Sequence, residues 1–117
     1  MRPKVRRVAT WALRAALTYV FVAAGVAKLL GARIAVQEFH RFGYPDWFRL
    51  LIGAVEISGG LLLPVSHTAA YARAALAIVM VGAVGSHLVH HEVMMAGLPL
   101  LLLLLLAVLG GCPSKHR

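Results

Sequence analysis

Residues 47–65 read "WFRLLIGAVEISGGLLLPV", an apolar run opened by Trp47 and Arg49, nearly closed by Pro64, and interrupted at its centre by Glu56. Its length is close to the ~20 residues needed to cross a bilayer. Three further segments share that length and character: 8–30, 69–90 and 93–111. The last contains seven consecutive leucines, Leu100–Leu106, after Pro99, and carries no evident chemistry. The short connections "SHT" and "HE" make successive helices antiparallel neighbours. The expected fold is therefore all-α: a four-transmembrane-helix antiparallel bundle forming a single membrane domain over 1–117.

Composition agrees. The chain has 117 residues, 61% of them hydrophobic, and a mean hydropathy of +0.82, against about 45–50% apolar residues in soluble domains. A water-facing globule of this size cannot bury such an excess. The net charge of +8 is placed as in a membrane protein, flanking the apolar runs in "MRPKVRRV" (1–8) and "PSKHR" (113–117), and not interleaved with aromatics as on a nucleic-acid-binding face. The first apolar run continues without a small-residue cleavage site, so it reads as a retained helix and not a signal peptide. Counting Lys and Arg places both termini in the cytoplasm of a multi-pass protein of the cell membrane. The single cysteine, Cys112, excludes an intrachain disulfide and reads as a reduced thiol.

The connection "GARIAVQEFHRFGYPDWF" (31–48) holds Ala35, Phe39 and Phe42 at helical spacing, with Gln37, Glu38, His40 and Arg41 on other faces. It reads as a short interfacial helix between the first two spans. Gly43 and Pro45 end it, Asp46 is placed to cap the next helix, and Tyr44, Trp47 and Phe48 form an aromatic belt. Ala24, Gly25, Gly53, Gly59, Gly60, Gly82, Gly85 and Ser86 offer thin surfaces for helix packing.

A charge at the centre of a span costs about 2.5–3.5 kcal/mol on insertion scales, so Glu56 is expected to face the bundle interior. It lies nine residues into its segment, roughly 13 Å deep. Lys28 and His87 stand near the same end of neighbouring spans, where Lys28 can pair with Glu56 and His87 can add a hydrogen bond. Lys28, Glu56 and His87 thus form the expected polar intramembrane pocket. His40, Trp47 and His91 are candidate contacts at its outer rim. His87 and His91, four apart, share a helical face in the metal-binding manner, but no Cys or intervening Glu joins them, so no metal is assigned. Arg14 and Arg73 are expected to snorkel to cytoplasmic headgroups. Ser58, Ser66 and Ser86 lack an Asp/His relay for nucleophilic catalysis.

"FVAAGVAKLLG" (21–31), "EFHRFGYPDWF" (38–48) running into "LIGAVEISGGLLL" (51–63), and "GAVGSHLVHHE" (82–92) together resemble the DoxX-like family of small four-helix membrane proteins. In that family's pattern Lys28, Glu56 and His87 match recurring polar positions. The resemblance implies a membrane subunit or partner of a redox system, as in relatives that serve thiosulfate:quinone oxidoreductases or oxidative-stress complexes. A quinone is the candidate ligand, and a redox partner protein or a second copy the candidate partner, besides the lipid bilayer. With one cysteine the chain cannot run a dithiol cycle alone. The other reading is a non-catalytic scaffold or assembly factor, in which the same charges hold helix register.

Overall fold

The computed structural model describes residues 2–111. It is all-α, with five helices among those residues: α1 Pro3–Leu29, α2 Arg33–Arg41, α3 Asp46–Leu62, α4 Ala69–Val89 and α5 Gly97–Gly110. Two of them, α1 and α4, are long and apolar enough to cross a membrane. Cys112 and the basic tail 113–117 lie outside the described residues.

Helix α1 begins five residues before the expected span because Pro3 occupies the first turn, where its fixed φ and missing N–H cost nothing. Helix α1 packs along α3, α3 against α4, and α4 against α5, while α5 also touches α1. The α1–α3 pair is antiparallel: Gly25 lies against Gly53 and Ile57, and one to two turns earlier Phe21 and Thr18 lie against Gly60. A methyl group on Gly25 would stand 2.6 Å from the Gly53 carbonyl oxygen. Backbone contact this close is how helices associate where lipid removes any hydrophobic force between them. On the other side of α3, Gly59 receives the Leu76 side chain of α4. Of the small residues expected to pack, Gly82 and Gly85 do not, since nothing lies within 4 Å of a methyl built on either.

The buried apolar cluster of Leu17, Phe21, Leu63, Ala72, Leu76, Met80, Leu106 and Leu109 fills the half of the bundle remote from α2. At that end Thr68 Oγ1 donates to the Leu62 carbonyl at 3.0 Å, satisfying one of the carbonyls that α3 leaves open where Pro64 prevents its continuation. Arg14 stacks on the Trp11 ring at 4.5 Å, one turn toward the N-terminus.

Three helices at the opposite end stop by one device. After α1, Gly31 adopts φ 72° and the amides of Gly31 and Ala32 reach back to the carbonyls of Lys28 and Ala27. After α2, Gly43 at φ 80° does the same, with Gly43 and Tyr44 bonding His40 and Phe39. This is the Schellman arrangement, which favours glycine at its left-handed position. After α4 that position is His91, at φ 62°, and the amides of His91 and Glu92 bond Leu88 and His87, the latter at 2.7 Å.

That third stop corrects two sequence expectations. The fourth apolar segment does not become helical at Val93, because the chain turns through 93–96 and α5 starts only at Gly97, with Pro99 in its first turn. His91 has also left the helix, so His87 and His91 do not share a helical face. A third correction concerns Asp46. It is the first residue of α3 and not its cap, which is Pro45, and its carboxylate instead accepts from His40 Nε2 at 3.0 Å.

Candidate functional site

A cavity of about 710 Å³ lies beneath α2, with walls from all five helices. Most of its surface is apolar: Val20 and Ala24 of α1, Ile52 of α3, Ile78 to Met80 of α4, and Met95, Leu98 and Leu102 toward α5. Its polar wall groups are Lys28, Glu38, Tyr44, Glu56, Ser86 and His87.

Lys28 and Glu56 meet across the α1–α3 seam, one helical turn from the Gly25–Gly53 contact, with Nζ 2.8 Å from Oε1. Glu56 is 2% exposed. The thin glycine seam is what allows a short carboxylate arm and a lysine stem to meet between two helices. Arg49, one turn into α3 and 8% exposed, donates to the Lys28 main-chain carbonyl. That carbonyl belongs to the last turn of α1, where intrahelical donors have run out.

His87, 5% exposed, is the second buried polar group of the cavity wall. The Schellman turn after α4 folds Glu92 back over it, so that Glu92 Oε1 sits 2.9 Å from His87 Nδ1. Glu92 is itself gripped by Arg41 of α2 through two bonds, Nε at 2.6 Å and Nη2 at 3.0 Å. The hydrogen bond from Arg41, and next the one from His87, hold the Glu92 carboxyl down to about 2 from an ordinary 4.5, and the same Arg41 bond raises the guanidinium. An ionised carboxylate only accepts, so Nδ1 of His87 carries a proton and Nε2 is directed to the cavity side. There Glu38 Oε2 lies 3.8 Å away. Phe42 packs edge-on against the imidazole, centroids 5.1 Å apart at 81°, and the Tyr44 hydroxyl bonds Ser86 Oγ at 2.6 Å. Together these contacts tie α2 and the turn after it down onto the end of α4.

Lys28, Glu56 and His87 therefore line one cavity, but they do not form one hydrogen-bonded triad. Both nitrogens of His87 face other carboxylates, Glu92 and Glu38, and not Glu56. None of His40, Trp47 and His91 lines the cavity. His40 is engaged with Asp46, Trp47 is exposed beside Phe48, and His91 is exposed in the turn. Among the described residues no three His, Cys, Asp or Glu side chains converge as a metal site.

Sequence reasoning missed Glu38, Arg41, Tyr44, Arg49, Ser86 and Glu92. One signal was present for Glu38: it precedes Phe42 by four residues and follows Ala35 by three, which places it on the edge of the apolar face of α2. No spacing rule pointed to Glu92, whose position depends on a left-handed histidine.

No curated protein and no solved structure matches this chain. A sequence model of the DoxX-like family, in contrast, matches residues 12–109, a stretch that holds every residue lining the cavity. The chain belongs to the DoxX-like family.

Proposed function

We propose that the protein is a multi-pass integral membrane protein of the cell membrane. In this reading α1, α3, α4 and α5 are four spans, α2 lies in the headgroup region, and both termini are cytoplasmic. It serves as a membrane subunit or partner of a quinone-linked or oxidative-stress redox system. Lipid contact follows from the family and from side chains such as Ile78, 73% exposed. Helix α5, 14 residues and about 21 Å long, is short for a bilayer core of about 30 Å, a mismatch that local thinning accommodates.

The observation that carries the redox reading is a Lys–Glu pair at 2.8 Å on the wall of a 710 Å³, mostly apolar cavity. That volume lies within the range of small-molecule sites, about 300–1,000 Å³. A quinone fits the donor set: Lys28 and Tyr44 are the wall donors for carbonyl oxygens, and Phe39, Phe48 and Ile52 would bound its rings. When bound, a quinone supplies two-electron, two-proton carrier chemistry. The chain's own part is to orient the head group, exclude water, and exchange a proton at the Glu56 carboxyl, with Lys28 setting its charge. The Arg49 bond to the Lys28 carbonyl favours a second reading, in which the pair is a structural joint of a scaffold or assembly factor.

Glu56→Gln separates the two. The redox reading expects loss of quinone-linked activity in the complex recovered from mild detergent, with helicity retained. The scaffold reading expects a lower protein level or lost partner recovery, with any activity unchanged per complex.

A further inference from the structure

In a chain of net charge +8 there are only four acids, Glu38, Asp46, Glu56 and Glu92. Three have a partner at hydrogen-bond distance: Glu56 has Lys28, Glu92 has Arg41 and His87, and Asp46 has His40. Glu38 differs. Its ion-pair contact, His87 Nε2, is 3.8 Å away, beyond hydrogen-bond length. Arg41, three residues on, feels the Glu38 charge but spends its hydrogen bonds on Glu92, and the Glu38 side chain lines the cavity.

The aromatic lining of the cavity gathers around this stretch of α2 and the turn that follows it. Phe39, Phe42, Tyr44 and Phe48 all line the cavity, and their rings form a connected set: Phe42–Tyr44 and Phe39–Tyr44 at 5.9 Å, Tyr44–Phe48 at 5.1 Å. An under-neutralised carboxylate beside aromatic rings is the chemistry that recognises an organic cation, by charge and by the negative ring faces. The alternatives fit poorly. An anion would find the charge of the cavity's Lys28 already balanced by Glu56, and a small hydrated cation would lose its water against apolar walls with one carboxylate outside hydrogen-bond reach of a partner.

We infer that the α2 side of the cavity is a seat for a lipophilic organic cation, such as a quaternary ammonium, a phosphonium or a protonated tertiary amine. Its charged head sits against Glu38 and the aromatic rings. Its apolar body lies along Ile78, Met94 and Leu98, which line the cavity and are also exposed on the outer surface, Met94 at 92%. Such a ligand enters sideways from lipid. This seat goes beyond the quinone reading and does not depend on it, since it uses Glu38 and the rings and leaves Lys28–Glu56 intact.

The test uses the full chain in detergent micelles, with tetraphenylphosphonium as probe and tetraphenylborate, of like size and opposite charge, assayed in a separate sample because the two ions precipitate together. Equilibrium dialysis should show saturable binding of the phosphonium and no saturable binding of the borate. Glu38→Gln should weaken phosphonium binding about tenfold and Phe42→Leu severalfold, with unchanged helicity. Should Glu38→Gln fail to fold, the comparison of the two ions in separate samples and Phe42→Leu decide the matter. Non-saturable uptake, equal binding of the two ions, wild-type affinity in either variant, or loss only in Glu56→Gln overturns the assignment. None of these outcomes involves a quinone, so they leave the redox reading to its own experiment.

Discussion

The α1–α3 seam makes a quantitative prediction through two alanine substitutions of opposite sign. A methyl at Gly25 would lie 2.6 Å from the Gly53 carbonyl oxygen, 2.6 Å from Ile57 Cγ1 and 2.9 Å from Ile57 N. Two of these three atoms are backbone, so side-chain rotation cannot clear them. Restoring contacts of about 3.5 Å or more requires α1 and α3 to part by close to an ångström. Parting loosens the dispersion contacts of the seam and draws Lys28, one turn along, away from Glu56. Overpacking of this kind costs about 1–3 kcal/mol or more, against about 1 kcal/mol gained from replacing a helical glycine by alanine. Gly25→Ala should therefore lose about 1–2 kcal/mol. Gly85→Ala, on α4 with nothing within 4 Å of its new methyl, should gain up to about 1 kcal/mol. Helicity at 222 nm, followed through thermal or SDS unfolding in micelles, reads both. A Gly25→Ala variant as stable as wild type, or equal losses at the two sites, would refute the close-seam reasoning.

Replacing His91, at φ 62°, by glycine should stabilise the protein by about 1 kcal/mol in the same unfolding assay, because the left-handed position then carries no Cβ penalty. The Glu92 carboxyl, held down to about 2, should titrate near that value by carbon NMR. A depressed acid contributes stability above its unfolded value near 4.5 and loses it as pH falls toward the folded value. The stability supplied by the α2–α4 tie should therefore be complete at pH 5 and decline between about 4.5 and 2, the contact itself letting go as the carboxyl protonates near 2. Arg49→Leu should cost about 1 kcal/mol, since it takes the side-chain donor from the Lys28 carbonyl and leaves it only the long Gly31 amide bond at 3.4 Å. Measured stability equal to wild type would show that the Gly31 amide alone satisfies the carbonyl.

The broad architecture was legible because apolar length and glycine punctuation are local properties. Gly43 announced the end of α2, and the amphipathic spacing of Ala35, Phe39 and Phe42 announced α2 itself. The pairing of Lys28 with Glu56 was legible for a related reason: a carboxylate deep in an apolar run has few places to go, and depth along each helix follows from counting residues. What escaped depends on geometry that residue types do not announce. His91 takes a conformation that favours glycine, so the end of α4 and the late start of α5 were hidden. That same turn carries Glu92 onto His87, which diverted the imidazole from Glu56. Asp46 has the composition of a cap but sits one residue inside the helix, and its carboxylate is occupied by His40. Gly82 and Gly85 look like packing residues, yet Gly82 borders the cavity and a methyl on Gly85 would meet open space, because a helix face becomes a seam only if a second helix arrives.

The most direct test of the central claim is a double-substitution cycle on the ion pair, using Lys28→Met, Glu56→Gln and the two combined, with unfolding free energy measured in micelles. Removing one partner of a buried pair leaves the other uncompensated, at a cost of about 3–5 kcal/mol. If Lys28 shelters Glu56 inside the bundle, each single change should be costly and the double variant should lose less than the sum of the two, by a coupling of about 1–3 kcal/mol. Strictly additive effects would mean that Glu56 is accommodated without Lys28, and would contradict the account.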